Sequence, residues 1–418
     1  MRYRISHCLV PLLALFAVAA CGVQQPPAPA AKPQLATYPA PDNGVSSPIM
    51  LETVHSRRIT APQTDGFLAG RTVKIGLLLP LTGRSAELGR AMQDAATVSL
   101  FDKYGRLSTR QATTKVELLP IDTGDTPEQA VAAMQQALDE GAEFIIGPLF
   151  GDATDAAAPL ARARGISVLS LSNNVSQPGK GVYMYGFSPQ EQTARVIHYA
   201  LSTGKSRIAA MVPDAPLGKA VLTTARQTLA DRGFALVKEV SYPAQGINID
   251  TAADQLVSPG SAPDFDALLL PEGGAPLGTI LRALQARGVS SRNVQLLGTG
   301  IWDDVALIRR VPLEGAWLAS SAPNDTAAFE QRFRSTYHYL PPRIASLAYD
   351  AVALAVTLAT SGRPFDDKTL TSPAGFVGPA NGIFRLRANG KTERGLAVLQ
   401  VQAGTFRMIS PPPNGFAP

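Results

Sequence analysis

The 418-residue sequence holds only two cysteines, Cys8 and Cys21, and four histidines. His7, His55, His198 and His338 stand far apart, so no Cys/His spacing suited to a metal occurs. Cys8 lies within an N-terminal apolar run; once that run is removed, Cys21 is alone and can form no internal disulfide. Charge of one sign is also scarce. The formal net charge is +5, or about +3 without Arg2 and Arg4, and no run of five or more Lys/Arg occurs. That excludes the electrostatic footprint of a nucleic-acid binder. The apolar run Cys8 to Ala20 has 13 residues, short of the roughly 17–25 that a membrane-spanning helix needs. Catalytic motifs are missing as well. Gly204-Lys205-Ser206 ends like a phosphate-binding loop, but Tyr199 stands where its first glycine belongs, and a strand follows rather than precedes it. Ser202-Thr203-Gly204-Lys205 and Ser172-Asn173-Asn174 match fragments of a penicillin-binding catalytic set in the wrong order, and no K-T-G or G-x-S-x-G completes it. The expectation is a binding protein without cofactor or metal rather than an enzyme.

What is present begins with a leader. Arg2 and Arg4 precede the apolar run, and small residues lead to Val18-Ala19-Ala20-Cys21, the order of a secretory signal. This segment resembles a bacterial lipoprotein signal. The resemblance implies removal of residues 1–20 and acylation of Cys21 as the new N-terminus. Gly22 stands where the inner-membrane retention signal usually has Asp, which points to the periplasmic side of the outer membrane. Residues 21–70 then form a lipidated, proline-rich linker, punctuated by Pro26, Pro27, Pro29, Pro33, Pro39, Pro41 and Pro48. Such a segment buries too little apolar surface to offset its ordering entropy.

From Arg71 the pattern changes. Val73 to Leu79 is a continuous apolar strand of the kind buried on both faces of a parallel sheet. A helix with Leu88, Met92, Ala95 and Ser99 on one face follows, then a strand from Lys115 to Ile121. Thr126-Pro127-Glu128-Gln129 opens the next helix as a capping box with proline at its first position, and Gly141 ends it. Strands at Phe144–Ile146, Ile166–Leu171 and Val182–Phe187 continue the alternation. A second series has strands at Arg207–Val212, Phe234–Val240, Asp266–Leu270 and Val294–Leu297. Helical stretches at Thr326–His338 and Ile344–Thr360 precede a β-rich tail. Strand–helix alternation of this spacing predicts an α/β fold with parallel sheets covered by helices. Two such series predict two lobes.

Four phrases carry a family resemblance. They are Ile75 to Gly83 (IGLLLPLTG), Ile145-Ile146-Gly147-Pro148-Leu149, Gly165 to Ser170 (GISVLS) and Ala348-Tyr349-Asp350-Ala351-Val352. Together they resemble type I periplasmic binding proteins of the leucine/isoleucine/valine-binding class. The resemblance implies two Rossmann-like lobes of the Venus-flytrap kind, joined by three hinge strands. Its expected division is 71–187 with 317–368 for lobe 1 and 188–316 with 369–418 for lobe 2. Ligands of open α/β sheets bind beyond the carboxyl ends of strands. That rule nominates Thr82, Gly83, Phe150, Gly151, Asp152, Ser172, Asn173, Asn174 and Tyr185 in lobe 1. In lobe 2 it nominates Asp214, Glu272, Gly273, Thr299, Gly300 and Trp302. Free N–H groups at such loops suit a carboxylate, although Thr82, Ser172 and Asn173 also suit helix capping.

Two departures direct the functional reading. The family's amino-acid receptors hold the ligand ammonium with a Glu in lobe 2, and Gly298-Thr299-Gly300-Ile301-Trp302-Asp303 has none there; Asp303, Asp304 or Glu272 could substitute. Phe150-Gly151-Asp152 replaces their serine-rich loop. The phrases Gly298 to Asp303 and Leu313 to Trp317 are more similar to the branch of lipoprotein activators of penicillin-binding proteins. The resemblance therefore implies a peptidoglycan synthase as partner, with an ABC permease and a small polar ligand as the alternative.

Overall fold

The computed structural model describes residues 49–50, 71–105, 114–244 and 246–416. The expectations for the leader, for Cys21 and for most of the linker fall outside the described residues. One short piece of the linker is described, strand β1 (Ile49–Met50).

The first lobe runs β2 (Thr72–Leu79), α1 (Ala86–Tyr104), β3 (Lys115–Asp122), α2 (Pro127–Asp139), β4 (Phe144–Ile146), α3 (Gly151–Ala163), β5 (Val168–Ser170) and β6 (Val182–Met184). Its five strands are parallel in the order β3-β2-β4-β5-β6. The capping box at α2 is formed: Thr126 Oγ1 accepts from Gln129 N, and Gln129 Oε1 accepts from Thr126 N. The second lobe runs α4 (Pro189–Ser202), β7 (Ile208–Asp214), α5 (Pro216–Ala230), β8 (Lys238–Pro243), α6 (Ile249–Leu256), β9 (Ala267–Leu269), α7 (Gly274–Gln285), β10 (Gln295–Gly298), a 3-10 turn (Gly300–Trp302), α8 (Val305–Arg310) and β11 (Trp317–Ser320). The chain then adds α9 (Pro323–Tyr337), α10 (Ala345–Thr360), α11 (Asp367–Leu370), β12 (Phe376–Gly378), β13 (Gly382–Leu386), β14 (Thr392–Arg394), β15 (Ala397–Gln402) and β16 (Thr405–Ser410).

The second sheet has seven strands, ordered β16-β15-β11-β10-β9-β7-β8. In both sheets the second strand lies on one side of the first and the third on the other. Each lobe therefore has a switch point, the place where open α/β sheets leave a crevice. The lobes also share a close approach between the end of the first strand and the helix that follows it, α1 after β2 and α5 after β7. A Cβ on Gly89 or on Gly218 would lie 1.9 Å from the carbonyl oxygen of Pro80 or Pro213 respectively.

The expected lobe boundaries need correction in the tail. Trp317–Ser320 is not part of lobe 1: β11 pairs in parallel with β10 and antiparallel with β15, inside the second sheet. Conversely, Leu370, Phe376, Ala380, Phe384 and Leu386 pack into the first-lobe core with Val73, Phe144 and Tyr349. There β12, β13 and β14 form a small sheet with β1, whose Ile49 and Met50 register with Phe376 and Val377. Only β15 and β16 return to lobe 2. The chain thus crosses between lobes at 185–188, 321–322 and 395–396.

Helix α10, apolar on all sides, is the spine of lobe 1, as all-round hydrophobicity requires. Ser99 on α1 donates to its Tyr349 carbonyl (2.7 Å), and buried Asp102 accepts from Tyr349 Oη (2.9 Å) and Arg332 Nε (2.7 Å).

Candidate functional site

Loops after β2, β3 and β4 converge at the switch point of lobe 1. They line a cavity of about 410 Å³ with Arg84, Ser85, Gly124, Asp125, Thr126, Phe150, Asp152 and Ala153. Of the residues expected from sequence, Phe150 and Asp152 line it and Thr82 and Gly83 adjoin it. Arg84 and Ser85, in the same loop as Thr82, and Asp125, in the loop after β3, were not foreseen, although the rule that nominated Thr82 reaches both loops.

Several backbone donors of this crevice are already engaged. Asp122 accepts from the N–H groups of Leu81 (2.7 Å), Thr82 (3.2 Å) and Gly124 (2.8 Å), and from the Thr82 hydroxyl. Burial acts to raise the Asp122 carboxyl, but these hydrogen bonds outweigh it and hold it below its ordinary value. Asp125 Oδ2 accepts from Arg84 N (2.8 Å) and sits where a Cβ of Gly83 would be. At the start of α3, Asp152 Oδ1 accepts from Ala153 N (2.8 Å). The loop after β5 is tied to itself and to the first crossing: Asn174 N donates to Ser172 Oγ (3.0 Å), and Asn173 Nδ2 donates to the Phe187 carbonyl (2.7 Å). Gly151 packs directly on the Asn174 carbonyl, with no room for a Cβ.

The second lobe shows the same economy of free groups. Glu272 Oε2 accepts from Tyr242 Oη (2.6 Å) and Oε1 from Gly273 N (3.0 Å). Gly300 N donates to Gln192 Oε1 (2.9 Å). Asp304 caps α8 through Ala306 N (2.7 Å). Asp214 is exposed and pairs with Lys219 (3.1 Å). Three expected wall residues are instead interior. Trp302, Tyr185 and Thr299 are each 0% exposed. Trp302 turns inward because its indole N–H donates to the Glu272 carbonyl (2.7 Å) and its ring covers Gly298. Tyr185 lies beneath the Arg394 guanidinium, 4.2 Å from its ring centre, and edge-on to Phe384. Large apolar side chains remain exposed on the facing loops: Phe150 on lobe 1, and Ile247, Ile301 and Val305 on lobe 2.

A third cluster, unforeseen in the sequence, occupies the crossings. Glu191 Oε1 accepts from Arg394 N (3.0 Å), and Arg394 Nη2 donates to the Tyr185 carbonyl. Together they tie the first crossing to the third. Burial pushes the Glu191 carboxyl up to about 7, against the opposing pull of the Arg394 guanidinium and N–H, while Glu393 adds to the rise. A raised folded-state value means the proton is held more tightly in the native state. Stability from this group is therefore complete below its ordinary value and is lost as pH rises through about 7. Thermal melts from pH 5 to pH 8 are expected to show a falling midpoint that flattens in Glu191→Gln; an equal slope in both proteins would refute this assignment.

Two lobes on doubly wound α/β sheets, three crossings among the described residues and a switch point in each lobe define a two-lobed body of the periplasmic binding type. The family model for periplasmic binding proteins matches residues 72–405, and the chain belongs to that family. Among curated relatives, the leucine-, isoleucine-, valine-, threonine- and alanine-binding protein of Pseudomonas aeruginosa is 27% identical over 123 residues, 28% of this chain and 32% of that one. The penicillin-binding protein activator LpoA of Glaesserella parasuis is 28% identical over 146 residues, 34% of this chain and 23% of that one. The chain thus matches a third or less of the length of these relatives. A crystal structure from Rhodospirillum rubrum, assigned to branched-chain amino acid ABC transport, superposes with a TM-score of 0.70 at 21% identity, covering 81% of this chain and all of that one. Among the described residues no helix is long and apolar enough to cross a membrane.

Proposed function

We propose that this protein is a lipid-anchored periplasmic regulator that contacts a peptidoglycan synthase of the penicillin-binding class, rather than a receptor for free amino acids. One observation carries the reading: the cleft loops supply their own acceptors. The N–H groups of Leu81, Thr82, Arg84, Ala153, Gly273 and Gly300, which would hold a ligand carboxylate, are bonded to Asp122, Asp125, Asp152, Glu272 and Gln192. A ligand carboxylate would have to displace four fixed carboxylates of like charge and the Gln192 amide oxygen, and each displaced bond would leave a polar group to satisfy again. The similarity to LpoA agrees with this reading, as does the leash that Cys21 and the linker would provide. Tethering lets a body meet a partner across the periplasm, and two or more acyl chains hold a protein on a membrane stably.

Transport is the second reading. It is favoured by the cavity of about 410 Å³ beside Phe150 and by the similarity to the amino-acid-binding protein of Pseudomonas aeruginosa. The two are separated by a pair of measurements. Calorimetric titration and thermal shift with the common amino acids are expected to show no binding. Glycan-strand polymerisation by a purified bifunctional synthase is expected to rise when the protein is added. A saturable thermal shift with a free amino acid, and no effect on polymerisation, would establish the transport reading instead.

A further inference from the structure

Asp303 follows the 3-10 turn of lobe 2, and Arg343 precedes α10 of lobe 1. Their side chains meet across the base of the cleft, Arg343 Nε to Asp303 Oδ2 at 2.8 Å, and are only 18% and 13% exposed. Each is held from its own side. Ser320, at the second crossing, donates its hydroxyl to the same Asp303 oxygen. Arg343 Nη1 donates to Ser346 Oγ (2.6 Å) and to Asn381 Oδ1 (2.8 Å). The guanidinium stacks on Phe187 of the first crossing, 4.6 Å from the ring centre. Its Nη2 is buried with no partner among the described residues. Other charges near the pair are Glu330 on α9, which senses both members and Arg334, and Asp350 on α10, which senses Arg343 and Arg394.

We propose that Arg343 is a built-in cation for the second lobe. It fills the carboxylate cup of Asp303 and Ser320, so that the two lobes stay latched without a ligand. The cup itself is a latent site for a small guanidinium or ammonium group, and Arg343 is the residue that decides whether such a group can enter. The physical basis is the charge-assisted bond of a guanidinium to a little-exposed carboxylate. Because the partners come from different lobes, that bond weights the equilibrium toward the lobe angles that keep it. This goes beyond the partner reading and does not depend on it.

Arg343→Ala vacates the cup. In the full chain this variant is expected to melt several degrees lower, and millimolar methylguanidine is expected to restore part of the loss by binding the native state. Urea, planar and similar in shape but neutral, at the same concentration should restore nothing. Rescue should vanish in the double variant Arg343→Ala/Asp303→Asn. If Arg343→Ala does not fold, Asp303→Asn keeps the shape of the cup without its charge; its radius of gyration from small-angle scattering is expected to exceed that of the wild type. Rescue equal with urea, rescue surviving in the double variant, no rescue in a folded Arg343→Ala, or an unchanged radius of gyration in Asp303→Asn would each overturn the proposal.

Discussion

Replacing Trp302 by alanine is expected to destabilise the protein by about 3–5 kcal/mol, the range for truncating a fully buried Trp or Phe. The indole is among the largest fully buried side chains and packs in the core of lobe 2 with Leu296, Leu318 and Ile308. It also fixes two loops at once. Its N–H donates to the Glu272 carbonyl in the loop after β9, and its ring lies so close to Gly298 that a Cβ there would stand 2.2 Å from Cε3. Truncation leaves a cavity that the two loops can close only by moving. Trp302→Phe keeps most of the apolar contact and loses the hydrogen bond, so about 1–3 kcal/mol is expected for leaving the carbonyl unpaired. Urea denaturation measures both. A loss of less than about 0.5 kcal/mol for Trp302→Ala, the scale of a surface substitution, would place the ring on the cleft wall, where the sequence alone put it.

The second large effect is expected at Asp350. This carboxylate is 0% exposed and accepts from Ala380 N and from Asn381 Nδ2, both at 2.8 Å. It holds the turn between β12 and β13 against α10, and that turn in turn receives Arg343 through Asn381. Asp350→Ala leaves two buried donors without an acceptor, at about 1–3 kcal/mol each. Nearby Arg394 and Arg343 also lose a compensating charge. Burial raises the Asp350 carboxyl to about 6, although Ala380, Asn381 and the two arginines all favour its charged form. The sign matches Glu191: stability is complete below the ordinary value near 3.8 and declines as pH rises through about 6. Asp350→Asn should fold, remove that part of the pH dependence, and lose less than Asp350→Ala. Equal losses in Asn and Ala variants at every pH would refute the hydrogen-bond account.

The latch and the self-supplied acceptors bear on one question, whether the cleft is a receptor site or a scaffold. In a flytrap receptor, contacts made only in the closed state favour closure by their differential affinity. Here Asp303 and Arg343 already join the two lobes, the contact proposed above as a latch. A body held at one lobe angle offers a constant surface to a partner. Exposed Phe150, Ile247, Ile301 and Val305 contribute apolar area on the loops flanking the cleft.

Sequence by itself determined the layers. Continuous apolar strands such as Val73 to Leu79 need a sheet covered on both faces, and local signals such as the Thr126–Gln129 box act over one helical turn. The loops after β2 and β4 were legible for the same reason: strand ends follow from strand positions, and ligand crevices follow from strand ends. Tertiary structure alone decided which face each loop residue shows. Trp302, Tyr185 and Thr299 stand at the right places in the chain, but packing on Gly298, Arg394 and the lobe cores turns them inward. It also decided lobe membership in the tail, where β11 and β12 are too short for periodicity to assign them to a sheet. The hinge cluster was out of reach altogether. Asp303 and Arg343 are 40 residues apart and Glu191 and Arg394 are 203 apart, and no local pattern encodes a pairing that depends on where three separate crossings of the chain come to lie.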